Sequence, residues 1–261
     1  MSFHEGELAV QARAGVSDLA ARVGRIINDT IPPAAVPFLA AQRVAIAATL
    51  DGDARVWTSL LVGAPGFARA IDERTLVLAP LARNEVFAGP IGVLVIDFAA
   101  RRRMRFNGIA RFDGDAIVVT TREVYGNCPQ YITPQDVRVP RLDVRASGDA
   151  LSAEQQAWIR GADTFFIGTA HPERGADASH RGGRAGFVRA DAQRVAWDDF
   201  PGNNMFNTLG NLAVNPRCGL LFTDFARTLQ LSGTAEIRWD GSERSVEMRI
   251  ERVSESRAES P

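Results

Sequence analysis

The residues best suited to chemistry fall between positions 179 and 225. Ser179-His180-Arg181-Gly182-Gly183-Arg184 sets two arginines among glycines. Glycine lets a backbone approach a ligand closely, and the planar guanidinium fork matches the oxygens of a phosphate. Further on, Gly202-Asn203-Asn204-Met205-Phe206-Asn207 reads as the start of a helix. Asn203 or Asn204 can cap it, Phe206, Leu209, Leu212 and Ala213 share a face, and Pro216 stops it. A helix N-terminus offers free N–H groups and the positive end of a dipole, so it favours anions. Taken singly, each of these residues has an ordinary reading as a solvated loop arginine or a plain cap. Two such segments bracketing a pair of strands read together as an anion site.

The other chemical candidates are sparser. His4 with Glu5 and Glu7 suggests metal or acid–base work, but no second histidine completes a site, and residues 1–16 read as an arm packed on the fold. His171 and His180 read as loop residues, His180 lying inside the arginine–glycine motif. Cys128 and Cys218 are too far apart for a disulfide framework or a metal cluster; Cys218 reads as core and Cys128 as a loop thiol. No metal is expected, and no side chain is named as a catalytic acid, base or nucleophile. The chain has no lysine, which excludes a lysine Schiff base. Any phosphate must therefore be held by arginine, backbone N–H or hydroxyl groups.

Composition narrows the partners. With 46% apolar residues in 261, the chain can build one large domain or two small ones. A net charge of −1 gives no electrostatic case for nucleic acid or a membrane surface. The basic run Arg101-Arg102-Arg103-Met104-Arg105 accordingly reads as a solvated turn and strand edge. Apolar runs such as residues 91–98 are too short to span a bilayer. Two unpaired cysteines and a polar beginning without a signal peptide point to the cytoplasm.

The elements that must position the motif are mostly strands. Ser17 is expected to cap a short helix ended by Pro32-Pro33, a second helix covers 34–42, and about six strands follow to residue 121. Residues 133–150, polar and holding Pro134 and Pro140, read as a linker. Ser152 and Gln155 form a capping box for the next helix, followed by six strands ending at 246–253; residues 254–261 read as a disordered tail. The domains expected are thus 1–132 and 151–253. The two also match each other. At an offset of 120, Phe38 meets Trp158, Thr49 meets Thr169, Ser59 meets Ser179, Gly66-Phe67 meets Gly186-Phe187, and Asn84 meets Asn204. Beyond that the offset becomes 127, where Asp97-Phe98 meets Asp224-Phe225. The seven extra residues are about two turns of helix, and they sit where only the second copy has its capped helix. The first copy also has Leu61 and Ala64 in place of Arg181 and Arg184. The expectation is an internal duplication with one phosphate site, in the second copy.

Ser179-His180-Arg181-Gly182-Gly183, Gly186-Phe187-Val188, Gly202-Asn203-Asn204, Asn211, Asn215-Pro216 and Gly219-Leu220-Leu221-Phe222 together resemble the pyridoxamine 5′-phosphate oxidase-like family, in its uncharacterised flavin-nucleotide-binding branch. The likeness covers roughly residues 150–253, and more weakly 1–140, through Phe3-His4-Glu5-Gly6-Glu7 and Gly126-Asn127-Cys128-Pro129. It implies a mainly β fold with flanking helices (α+β), a tandem duplicated FMN-binding split β-barrel. It implies FMN held by Ser179, His180, Arg181, Gly182, Gly183, Arg184, Phe187, Gly202, Asn203, Asn204, Asn207 and Gln230, with Trp197 a further flavin neighbour; for Phe187 and Trp197 core packing is the plainer role. It implies a homodimer, unless the first half of the chain supplies the partner barrel, and an oxidoreductase acting on a small molecule or electron donor. Two alternatives stay open: a flavin-binding carrier or sensor without turnover, and a deazaflavin or haem binder. The lysine and the C-terminal arginine-containing segment with which the vitamin B6 oxidase holds its substrate are missing, which argues against pyridoxamine phosphate as substrate.

Overall fold

The computed structural model describes residues 3–137 and 143–257. Helices α1 (Glu5–Arg13), α2 (Ser17–Val23) and α3 (Ala35–Ala41) lead into strands β1 (Val44–Leu50), β2 (Val56–Val62), β3 (Ala68–Asp72), β4 (Thr75–Leu78), β5 (Ala82–Arg83), β6 (Gly89–Asp97), β7 (Arg102–Asp113) and β8 (Ala116–Gly126). After β9 (Asp143–Gly148) come α4 (Ala153–Gly161), β10 (Thr164–His171), β11 (Gly175–Gly182), β12 (Val188–Ala190), β13 (Arg194–Asp198), α5 (Asn207–Val214), β14 (Arg217–Thr223), β15 (Arg227–Asp240) and β16 (Glu243–Arg257). The fold is mainly β with flanking helices. Among the described residues no helix is long and apolar enough to cross a membrane.

The duplication extends to the topology. The first antiparallel sheet runs β3-β4-β8-β7-β6-β1-β2, with β5 beyond β2, and the second runs β12-β13-β16-β15-β14-β10-β11. Strand for strand the two orders are the same, with α3 and α4 in corresponding places. Where the second half has α5, the first has only β5 and extended chain.

Side chains that alternate along a strand serve two cores. Leu61 points into the core of the first barrel, with Phe38, Val93 and Phe106. Its neighbours Leu60 and Val62 join Phe166, Ala178 and Leu221 in a third apolar cluster between the halves. The second barrel has its own core around Phe165, Trp197 and Phe222. β2 meets β10, β14 and β15 across this interface, while β11 meets β1, β6 and β7. The halves thus pair as two copies of one barrel within a single chain.

Three boundaries differ from expectation. The capping box on α4 forms as read, Ser152 Oγ accepting from the Gln155 N–H at 3.2 Å. Ser17, by contrast, is the first residue of α2 rather than its cap, and makes no capping hydrogen bond. The stretch read as a linker contains β9, which pairs with β16, and β16 runs on to Arg257. Residues 254–257 are therefore strand, because β9 supplies the hydrogen bonds their backbone needs. Residues 138–142 of that linker and 258–261 of the tail lie outside the described residues. The first sixteen residues do pack on the fold, as α1. It is capped by a His4–Glu7 box that sequence reasoning did not identify.

Candidate functional site

The interface of the halves opens on one side into a cleft of about 100 Å³. Its walls come from both copies. From the second half come the edge strand β11 and the approach to α5. From the first come β7 and the segment 127–131 that leaves β8. β11 is an edge strand, so side chains from both its faces reach the cleft.

Ser179, His180, Arg181, Gly182, Phe187, Gly202, Asn203, Asn204 and Asn207 all line this one cavity. Ser179 Oγ accepts from Arg105 Nη2 at 2.6 Å and is 2.9 Å from Thr208 Oγ1. A Cβ on Gly182 would sit 2.2 Å from the Tyr131 carbonyl oxygen; only glycine lets segment 127–131 close over β11. Arg181 Nη1 donates to Asp199 Oδ1 at 2.5 Å, and Asp199 also receives Arg244 Nε at 3.1 Å. Asn207 Oδ1 accepts from Arg105 at 3.3 Å, while its Nδ2 donates to Glu7 at 2.6 Å.

Four expected residues do not join the cleft. Arg184 is exposed in the turn after β11, and Gly183 packs against Phe187 instead of the cavity. Gln230 lies at the pseudosymmetric position in the other half of the interface. There its Nε2 donates to the Thr58 carbonyl at 2.9 Å and to Ser59 Oγ at 3.2 Å. Trp197 is core, 1% exposed and edge-on to Phe165. The helix start is also corrected. α5 begins at Asn207, its N-cap is Phe206 at φ 61°, and no side chain caps it. Asn203 instead donates through Nδ2 to Asn127 Oδ1 at 3.0 Å. The first-turn N–H groups of α5 are left without a side-chain cap beside the cavity.

The arginine run holds what sequence reading missed. Arg101 and Arg102 are exposed as expected, but Arg103 and Arg105 lie on the face of β7 turned to the second half, and both line the cleft. Spacing of two on a strand is the signal that could have found them. Arg105 is buried against Asp177, with Nη1 2.8 Å from both carboxylate oxygens. Burial works against its charge, but Asp177 and Tyr125 outweigh that and push its pKa up. Arg103 has no such partner. Among the described residues its one side-chain hydrogen bond runs from Nη1 to His180 Nδ1 at 2.8 Å, and no carboxylate pairs with it. Burial, then Arg105, pushes its pKa down to about 10. Burial followed by Arg103 and Arg181 pushes His180 down to about 3, so its ring is neutral, on β11 and not in a loop. A guanidinium can only donate. His180 Nδ1 is therefore the acceptor, and its Nε2 carries the proton.

Several donors at the cleft have no partner among the described residues. Buried side-chain polar atoms without a partner include Arg103 Nε, Arg105 Nε, Asn127 Nδ2, His180 Nε2 and Arg181 Nε. All five are donors, and all five residues line this cavity. Buried polar groups are normally paired, so this cluster of unpartnered donors beside a cation with no carboxylate among the described residues is chemically suited to an anion.

The His4 reading also needs correction, because a second histidine is present: His171, on β10. The His4 and His171 rings lie 4.4 Å apart, with Glu5 beside them. Each Nδ1 accepts backbone N–H groups, from Gly6 for His4 and from Glu173 and Arg174 for His171. The ring proton of each must then sit on Nε2, which faces Asn211 in one case and Glu5 in the other. A protonated Nε2 has no lone pair for a metal, and the cluster serves to pin α1 to β10 and α5.

Residues 151–259 match the family model described as pyridoxamine 5′-phosphate oxidase. Among solved structures, Group A Streptococcus HupZ is similar at 16% identity, covering 42% of this chain and 99% of its own, with a TM-score of 0.33. A FAD-binding protein from Mesorhizobium loti aligns at 11% identity over 44% of this chain and all of its own, TM-score 0.32. The Bacillus subtilis inhibitor of motility aligns at 8% identity over 80% of this chain and 87% of its own, TM-score 0.24. No curated protein matches the chain.

Proposed function

We propose, from a second half whose residues 151–259 belong to the pyridoxamine 5′-phosphate oxidase family, that this chain is a flavoprotein binding one FMN in the cleft between its halves and acting as an oxidoreductase on a small molecule. The observation that carries the reading is the set of five orphaned buried donors around the uncompensated Arg103. Together with the uncapped first turn of α5, they suit a phosphate group. Arg103, Arg105, Arg181, His180 and Asn127 would hold that phosphate, with Gly182 giving the close backbone approach. A bound flavin supplies hydride or single-electron transfer at its ring, and the protein's part is to bind, orient and shield it. Neutral His180 would donate through Nε2 without adding charge. Arg105, tied to Asp177, Ser179 and Asn207, would present its Nε in a fixed direction.

A phosphomonoester such as FMN fits better than a dinucleotide, because the residues that carry the unpartnered donors all line one small cavity. Both walls belong to one chain, so the cleft itself needs no second copy. The expected homodimer would associate through other surfaces. Titration of apoprotein with FMN should saturate at one per chain, and ligand released from purified protein should run as FMN on chromatography. Two sites per chain, or predominantly FAD, would overturn the proposal. Reduction of the bound flavin by NAD(P)H, with or without an added reductase, separates an enzyme from a carrier.

A further inference from the structure

A phosphate in the cavity leaves the rest of its molecule to be placed, and the following rests on the phosphate reading above. The cleft is half open, and its volume of about 100 Å³ suits a phosphate and a short chain better than a fused ring system, which places a ring beside the exposed side chains that line it. Two large aromatics stand there. Tyr131 is 42% exposed and Phe200 37% exposed, so each leaves part of a large aromatic ring open to a partner. Their rings stack on each other, centroids 5.8 Å apart and planes 29° apart, and Phe187 lies behind Phe200 at 6.0 Å. Tyr131 Oη donates to the Pro201 carbonyl at 3.1 Å, which ties segment 127–131 to the loop before α5.

The backbone of the mouth is strained. Tyr131 has φ 63°, and Asn204 and Phe206 have φ 61°. These are three of the six non-glycine residues with positive φ among the described residues, and all three line this cleft. Strain of that kind gathers at ligand clamps. It is an observation independent of the ring exposure and of the orphaned donors.

We propose that Tyr131 and Phe200 form a platform for the planar aromatic ring of a phosphomonoester whose phosphate sits among Arg103, Arg105 and His180. The platform then sets the preference for aromatic over aliphatic phosphates. Tyr131 comes from the first half and Phe200 from the second, so ring binding would also tie the two together.

Calorimetry with two probes, FMN and ribose 5-phosphate, tests this on Phe200→Ala, Tyr131→Ala and the milder Tyr131→Phe. Stacking on an aromatic side chain corresponds to roughly 5- to 150-fold in affinity. Each alanine variant should lose about that much for FMN and leave ribose 5-phosphate unchanged, with weaker quenching of flavin fluorescence on binding. Tyr131→Phe keeps the ring and should keep FMN affinity. Equal losses for both probes, or unchanged FMN affinity in the alanine variants, would overturn the platform. Wild-type protein binding both probes equally would sink the platform but leave the phosphate site standing. Failure to bind either probe would remove the phosphate site and the platform together.

Discussion

Arg103→Met separates a ligand-binding arginine from a structural one, because the two roles predict opposite signs. In the apoprotein Arg103 is a largely desolvated cation with no carboxylate partner among the described residues, its pKa lowered from the ordinary arginine value to about 10 mainly by burial. At about 1.4 kcal/mol per unit, that corresponds to a penalty of about 3 kcal/mol. Losing its hydrogen bond to His180 costs about 1 kcal/mol. Methionine fills similar space without charge, so the variant apoprotein should gain about 2 kcal/mol. At about 2–4 °C per kcal/mol for a chain of this size, its Tm should rise by roughly 4–8 °C. FMN binding should move the other way. A charge-assisted hydrogen bond is worth about 1.5–3 kcal/mol, so affinity should fall roughly 10- to 100-fold, and the Tm shift produced by FMN should shrink accordingly. Differential scanning calorimetry with and without FMN reads both. A variant with lower apoprotein Tm and unchanged FMN affinity would show that Arg103 holds the halves together and that the cleft is not its purpose.

Arg184→Ala should leave FMN affinity unchanged, whereas Arg181→Ala should weaken it, since Arg181 lines the cavity and has an unpartnered Nε while Arg184 is exposed outside it; equal effects in a calorimetric titration would count against the cleft. Leu61→Ala, at a fully buried position in the first barrel, should cost about 2–5 kcal/mol in denaturant unfolding and leave one FMN per chain. Glu7 is pushed up to about 7, chiefly by burial, from an ordinary 4.5. The folded state therefore holds a proton that the unfolded state has released, and stability falls as pH rises from about 4.5 through about 7. The loss is on the order of 3 kcal/mol by about pH 8. Relative to wild type, Glu7→Gln should thus gain stability between pH 5 and pH 8; parallel urea-unfolding curves at the two pH values would refute the assignment.

The architecture was legible because it repeats. Matches at offsets of 120 and 127 place β1 against β10 and β6 against β14, and the structure has these strands in matching sheet positions. The arginine–glycine motif led to one wall of the cleft for the same local reason: Arg181 and Gly182 are adjacent in sequence and on β11. The opposite wall was not legible. Arg103 and Arg105 sit in a run with Arg101 and Arg102, and composition alone cannot tell the two exposed members from the two that alternate inward. The His4–His171 contact joins residues far apart in the chain, which neither periodicity nor capping rules can reach. The cap of α5 failed for a different reason: the Asn203 side chain is committed to Asn127 and the Met205 N–H, so it is not free for α5, whose N-cap is the left-handed Phe206.

Pseudosymmetry explains why the mate of this cleft is closed among the described residues. The same offset of 127 sets Arg103 against Gln230 and Arg105 against Ser232, and the offset of 120 sets Ser179 against Ser59 and Asn204 against Asn84. Where the arginines leave donors orphaned, the mate position is closed by neutral groups. Gln230 donates to Thr58 and Ser59, Asn84 Nδ2 donates to Thr228 Oγ1 at 2.9 Å, and Asn84 Oδ1 accepts from the Leu60 N–H at 3.0 Å. None of the side chains at that position is among the unpartnered buried groups. A neutral amide satisfies its surroundings in the apoprotein and so has no use for an anion, whereas a buried guanidinium without a carboxylate remains unsatisfied until one arrives. The first barrel is therefore more than a relic of duplication. Through Arg103 and Arg105 it lines the cleft opposite Ser179, His180 and Arg181, so in the proposed site both copies contribute donors.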